Sequence, residues 1–475
     1  MIHTSDNTVV HFQLDLNPQC RREMIAKCNA TLQSARARLM EENRRLGGLR
    51  ACQNFSDAVD DLLRTIYDWL PREARLDPAD YRRISLVAQG GYGRREMNPF
   101  SDIDLLFLMP DNPRPVEQAF VKSFLYLLWD LNKVELGHAT KRLSEALNAV
   151  GVDLDSTTSM ITIRHLAGNE TPVNELRRKL AALLRSKSGR KWFIECKLHE
   201  SQARREKYGS SIYLLEPNVK DGEGGLRDLH SIRWLTYTML GSSNLETLAE
   251  RGILTSAEVS ALNEALDFML SVRTALHQAE GRKVDGLTFD KQPAVAASLG
   301  FTSDPELLAE EKMMKNYYLH ARSIDRYGQK AIRVLTVKAR TALGGVIEAI
   351  GRRSVNKVYC LKNGVLHMKH PNADYFRADP VRVMECFWTA TETGAVMSEE
   401  LKDLIIEARP ATSNEAFRTS PRCRDLFMRI MGHTRHVAQT MHAMHDTGTL
   451  TDYMPEFGKL YCMARIDHYH KYTVD

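Results

Sequence analysis

Apolar residues recur at intervals of three and four from Pro18 to about Gly47, where Met24, Ile25, Cys28, Leu32, Ala35 and Leu39 make one stripe along a highly charged segment. That period predicts an amphipathic helix. A second helix is expected over Ala51–Trp69, with Pro71 and Pro78 marking the exit from it. The pattern then changes. Ile84–Gln89 is apolar and partly β-branched, and Ile103–Met109 is apolar apart from Asp104, which reads as a strand buried on both faces. Val116–Leu131 is a strongly apolar helix, Lys133–Lys141 a third strand and Leu143–Val150 a short helix, whereas Thr157–Leu166 suits helix and strand equally. Beyond Asn174 helices dominate. Ala257–His277 and Glu306–Thr336 are long amphipathic segments within a helical bundle over 243–345. Lys362-Asn363-Gly364 between two apolar runs signals a hairpin, and Asp379-Pro380 opens a helix that ends at Gly394.

The chemistry concentrates between the first two strands, in ISLVAQGGYGRREMNPFSDIDLLFLM (84–109). Gly90 and Gly91 permit backbone angles closed to other residues and let a ligand approach closely. Asp102 and Asp104, two apart, are expected on one face at the head of a buried strand. Two carboxylates placed there repel unless a cation joins them. Magnesium suits them, because it takes hard oxygen ligands, keeps waters and binds substrate phosphates. Exposed backbone N–H groups cradle phosphate oxygens, and Arg94 and Arg95 supply bidentate donors. A metal–triphosphate site is the expectation. Two solvated aspartates at a strand end are the plainer alternative.

Two later segments bear on that site. Arg177–Lys207 carries eleven Lys and Arg against Glu195, Glu200 and Glu206. It reads as a solvated basic face, or as the approach to an anionic substrate. YLLEPNVKDGEGGLRDLHSIRW (213–234) is a loop rich in special-backbone residues that opens a helix at about Leu226. It either packs two domains together or touches ligand. His277 and Arg282 are further candidates for substrate contact, with polar packing the plainer reading of His277.

Composition narrows the setting. At 475 residues, two to four domains are expected. A net charge of +5 is too mild to imply a nucleic-acid partner. No apolar run approaches the ~20 residues of a membrane span, and no secretory leader is visible. The eight cysteines are scattered without a C-x-x-C, which fits a cytoplasmic protein with free thiols.

Laid in order, these segments resemble the bacterial protein-PII uridylyltransferase / uridylyl-removing enzyme family. GGYGRREMNPFSDIDLL (90–106) is similar to its nucleotidyltransferase signature and to the wider polymerase-β-like pattern. LLEPNVKDGEGGLRDLHSIRWL (214–235), VRTALHQAEGRKVDGLTFDKQPAVAASLGF (272–301), MKNYYLHAR (314–322) and FRADPVRVMECFW (376–388) resemble later family blocks. The resemblance implies an α+β chain: N-terminal helices over 1–70, a small mixed-sheet nucleotidyltransferase domain over 71–170, an associated helical domain over 171–345, and an HD-type all-α domain with a small β insertion over 346–475. It implies transfer of UMP from UTP to a tyrosine of the PII signalling protein. Asp102 and Asp104 would hold magnesium, with manganese the alternative, while Gly90, Gly91, Arg94 and Ser101 would meet the triphosphate.

Some residues depart from the family pattern. Arg95 and Thr162 stand where the family usually has Gly and an acidic residue. A third carboxylate would come from Asp153 or Glu135. His445-Asp446 matches a helix before the family's metal pair, and the chain reaches only Tyr472-Thr473-Val474-Asp475 of the stretch leading to that pair, so an HD domain truncated before its hydrolase ligands is expected. The competing readings are an adenylyl- or other nucleotidyltransferase acting on a protein, and a non-catalytic PII-binding relative.

Overall fold

A computed structural model describes residues 14–209, 211–342, 352–460 and 462 of the chain. Most of the irregular lead expected over 1–15, the boundary at 345/346 and the closing residues 472–475 lie outside that set. The architecture is α+β, with two compact units whose main stretches are Met1–Leu343 and Gly344–Arg465.

The first unit opens with two helices, Pro18–Leu46 and Gly48–Glu73, paired across Gly47. Asn17 caps the first by accepting from Gln19 N at 2.8 Å. Its buried stripe is Met24, Cys28, Leu32, Ala35 and Leu39; Ile25 is only partly buried, and Asn43 extends the stripe instead. Asn43 donates to the Ser271 carbonyl at 3.2 Å, which lets a polar residue take a core position. The second helix is longer than its pattern predicts at both ends. It runs through Pro71, which sits so near the C-terminus that only the last turn accommodates it.

The sheet of this unit has four strands: β1 (Ser85–Ala88), β2 (Ile103–Met109), β3 (Leu136–Arg142) and β4 (Arg164–Gly168). Their order is β3-β2-β1-β4, with β1 antiparallel to β2 and β4, and β2 parallel to β3. Every β2 residue is buried except Asp104, as its near-continuous apolar run predicts. One face packs on the two N-terminal helices and Pro115–Trp129, where Phe107 and Phe124 meet edge-on at 5.6 Å. The ambiguous Thr157–Leu166 splits, giving a helix (Leu154–Ile161) and then β4. The basic stretch is two helices, Thr171–Arg185 and Lys187–Tyr208. Long helices follow at Leu226–Leu240, Ser256–Glu280 and Ala309–Ala342.

The second unit pairs a small sheet with short helices. Strands β5 (Arg352–Ser354), β6 (Tyr359–Lys362), β7 (Val365–Met368) and β8 (Val396–Met397) lie in that order. The hairpin at Lys362-Asn363-Gly364 forms as expected. Asn363 and Gly364 both have positive φ, 52° and 77°, the turn that suits the right-handed strand twist. The helix Val381–Thr393 ends at left-handed Gly394.

Candidate functional site

A cavity of about 230 Å³ opens at the end of the first sheet where β1 leaves and β2 begins. Gly90, Gly91, Arg94, Ser101, Asp102 and Asp104 all line it. The connection after β1 is not an open turn but one helical turn, Gly90–Gly93, closed by Gly93 N donating to Gln89 O and Arg94 N to Gly90 O. Asp102 precedes β2 rather than lying in it, because pairing with β3 starts at Ile103 opposite Leu136.

Asp104 is confined by glycines. A Cβ on Gly90 would lie 2.7 Å from its Oδ2, and a Cβ on Gly137, its β3 neighbour, 2.2 Å from its Oδ1. Burial, reinforced by the charge of Asp102, raises the Asp104 carboxyl to about 6. Asp102 goes the other way. Burial opposes its charge, but the Lys283 ammonium, 2.8 and 2.7 Å from its two oxygens, prevails and holds it below its usual value. Lys283 also lies 3.4 Å from Glu135. A cation thus already sits on one carboxylate, and the other is the proton-hungry partner of a repelling pair.

Arg94 and Ser101 are partly committed elsewhere. Arg94 is buried, donates from Nε to Glu96 at 2.7 Å, and lies 5.7 Å from the ring centre of Trp234. Burial pushes its pKa down, against the pull of Glu96. Ser101 Oγ accepts from Asn98 N at 3.1 Å. Glu96 is the hub beneath. It accepts from Arg94, from His230 at 2.8 Å and from Arg233, and these partners overcome its burial and hold it well below the usual range. Burial drives His230 down to about 3, so it donates as a neutral imidazole.

The basic groups that face the two aspartates come from distant segments. Lys220, Arg227, Arg273 and Lys283 line the cavity. The 213–234 stretch joins two of the expected domains, since His230 and Arg233 reach Glu96, and it also lines the cavity. Its backbone bridges to the next loop, with Val219 N donating to Asp285 O at 2.8 Å, while Lys220 and Arg227 reach the cavity. Burial, then Arg273 and Arg227, push the Lys220 pKa down. Arg273 donates to Asp285 at 2.7 Å.

Other expected contacts lie elsewhere. His277 is fully buried 3.7 Å from Asp285, and burial lowers it to about 4; Arg282 is exposed beside Glu280. Neither lines the cavity, and nor does any residue of 177–207. Lys197 of that stretch is buried 4.4 Å from the Trp234 ring centre, and Arg204 is buried against Asp228. Asp153 caps the Leu154–Ile161 helix, accepting from Ser156 N at 3.0 Å, and Glu135 is exposed. Neither lines the cavity; Asp155, two residues past Asp153, does.

Arg95 has φ of 60°, the left-handed region that favours glycine. Its guanidinium reaches Asp57, and its Nε is buried without a partner. Arg95→Gly is expected to stabilise the protein by about 0.5–1 kcal/mol, since relief of left-handed strain exceeds the value of one half-exposed ion pair. The urea midpoint reads this. A fall in midpoint would show that the Asp57 contact outweighs the strain.

Residues 192–332 match the family model described as GlnD PII-uridylyltransferase, and residues 359–453 match that of the uridylyltransferase GlnD third domain. The chain is 30% identical over 466 residues to a bifunctional uridylyltransferase/uridylyl-removing enzyme of Rhodospirillum rubrum, an alignment covering 97% of this chain and 49% of that protein. It therefore spans about half the length of that curated relative.

Proposed function

From a chain that belongs to the bifunctional uridylyltransferase/uridylyl-removing enzyme family, we propose a nucleotidyltransferase that moves UMP from UTP to a tyrosine of a PII signalling protein and releases pyrophosphate. The observation that carries this reading is one cavity holding Asp102 and Asp104 opposite Lys220, Arg273 and Lys283. Two carboxylates and three or more cations around glycines suit a metal-bound triphosphate better than a neutral ligand.

Asp102 and Asp104 would hold magnesium, or manganese in its place. The donor set fits: hard oxygens, one of them on a carboxyl whose proton affinity is raised by burial and by the charge of Asp102. Among the described residues no group of three or more His, Cys, Asp or Glu is placed to hold a metal. Waters and phosphate oxygens would complete the shell, as magnesium tolerates. Bound there, the metal supplies Lewis-acid stabilisation of charge at the α-phosphate.

The chain's own groups do the rest. Gly90 and Gly91 present no side chain to the triphosphate. Lys220, which has no carboxylate within ion-pair distance among the described residues, is available to its oxygens. Lys283 would leave Asp102 as the metal enters and turn to phosphate or to Glu135. Ser101 would offer its hydroxyl proton. Positioning and charge carry most of such a reaction.

The eight cysteines are free thiols, which supports the cytoplasmic setting included in this proposal. No described helix is long and apolar enough to cross a membrane. The uridylyl-removing reaction is no part of this proposal, which rests on the cavity around Asp102 and Asp104.

Incubating the chain with PII, magnesium and each labelled NTP in turn tests the reading. Label from UTP on a tyrosine is expected to exceed that from ATP, CTP or GTP by at least about tenfold, the scale of one good base contact. Preferred ATP labelling would make it an adenylyltransferase. A non-catalytic PII-binding relative has one observation in its favour, that Asp153 and Glu135 both lie off the cavity. PII binding without label from any NTP would establish it.

A further inference from the structure

A second cavity, of about 560 Å³, lies between the Pro115–Trp129 helix and β3. Val121, Leu125, Tyr126 and Trp129 form its apolar wall, and Thr140 and Arg142 its strand side. Trp129 is 50% exposed and Tyr126 38%, and their rings lie 5.6 Å apart. A paired Trp and Tyr left open to water is the amphipathic surface that binding faces favour.

The strand beside this groove is an edge. Among the described residues β3 is terminal in the sheet and pairs only with β2, and His138, Thr140 and Arg142 are exposed. Its outer N–H and C=O groups offer a template for another strand. Alternation along β3 links the groove to the catalytic cavity. Gly137 shares a face with Asp104. Thr140 and Arg142, three and five residues on, point to the opposite face and into the groove. The distance along the strand is roughly 10–17 Å.

We propose that this edge and groove dock the protein substrate as an added strand, an inference that rests on the uridylyltransferase reading. A segment paired with β3 sends alternate side chains to opposite faces. The residue opposite Gly137 then faces Asp104, where the tyrosine belongs, and the residue opposite Thr140 or Arg142 enters the groove. The bound segment therefore carries its tyrosine and a large apolar anchor three or five positions apart. It also carries acidic residues. Lys122, 5.6 Å from the Tyr126 ring centre, and Lys141, 3.5 Å from Ser156 Oγ, have no carboxylate within ion-pair distance among the described residues, whereas Arg142 is neutralised by Glu145.

Photo-crosslinking tests this in the full chain. Tyr126→p-benzoylphenylalanine is expected to crosslink PII within five residues of its modified tyrosine. The double variant Trp129→Ala/Lys122→Glu is expected to weaken PII binding at least tenfold and leave UTP binding unchanged. A crosslink to a second copy, to the chain itself, to another part of PII, or no crosslink at all overturns the docking. So does unchanged PII affinity in the double variant. A crosslink at the tyrosine segment with no labelling by the wild type retains the docking and removes the proposed activity.

Discussion

Asp104→Asn is expected to abolish nucleotide transfer to protein and, in metal-free buffer, to make the chain more stable. The first effect follows from its place. Asp104 lies between Gly90 and Gly137, where neither neighbour has a side chain to replace it. On the proposed reading, losing its charge would remove a magnesium ligand and several kcal/mol of charge stabilisation, about a thousandfold or more in rate. The second effect follows from its proton affinity. The carboxyl stands at about 6 in the folded chain against an ordinary 3.8. Between those values the folded state binds more protons than the unfolded one, so stability falls as pH rises through that window and stays low above pH 6. Asparagine escapes that loss. The gain above pH 6 is about 1–3 kcal/mol, from two pKa units at 1.36 kcal/mol each, reduced for residual solvent. It vanishes near pH 4. Labelling assays and urea melts at pH 4 and pH 8 read both effects. Full labelling by the variant would remove Asp104 from the reaction. Equal stability at both pH values would show that Lys283 and Lys220 already compensate its charge.

What the sequence showed of this region follows range. β2 was legible because a strand buried on both faces leaves a continuous apolar run, and Asp104 stands out as the break in it. The hairpin at Asn363-Gly364 was legible because its turn needs two positive φ values. The cations of the cavity were not. Lys283 lies 181 residues from Asp102, and no periodicity connects a loop residue to a partner that distant. The sequence singled out its neighbours His277 and Arg282 by residue type, but only the path of the loop selects Lys283. Arg94 shows a related blind spot. Its charge was visible and its commitment to Glu96 was not, since GRREM is as compatible with an open basic loop as with a buried pair. Glu96 itself was overlooked, although an acid directly after the two arginines of a turn is the signal that could have found it.

Glu96→Ala is expected to cost about 3–5 kcal/mol of folding stability, the price of removing one partner from a buried ion network. Glu96 is fully enclosed and receives Arg94, His230 and Arg233. With it gone, Arg94 keeps its burial and loses its counter-charge, while Arg233 retains, among the described residues, the Ser243 carbonyl at 3.2 Å. The damage reaches the cavity through the backbone, because Glu96 N closes the glycine turn by donating to Gly91 O at 3.0 Å. Acid should mimic the substitution. Glu96 is held well below its ordinary pKa, so its contribution is complete above about pH 4.5 and is lost as pH falls toward the folded value. His230, lowered to about 3, acts in the same direction, because the unfolded chain takes up its proton from about pH 6.5 downward. The variant's deficit should therefore shrink on acidification as the wild type loses what Glu96 provides. A double variant separates charge from packing. If the cost is an uncompensated cation, Glu96→Leu with Arg94→Met should recover much of the stability of either single change, since an apolar pair of similar volume commonly matches a buried ion pair. Urea denaturation of the four proteins measures that coupling. Additive losses would place the stabilisation in the turn geometry and His230 instead.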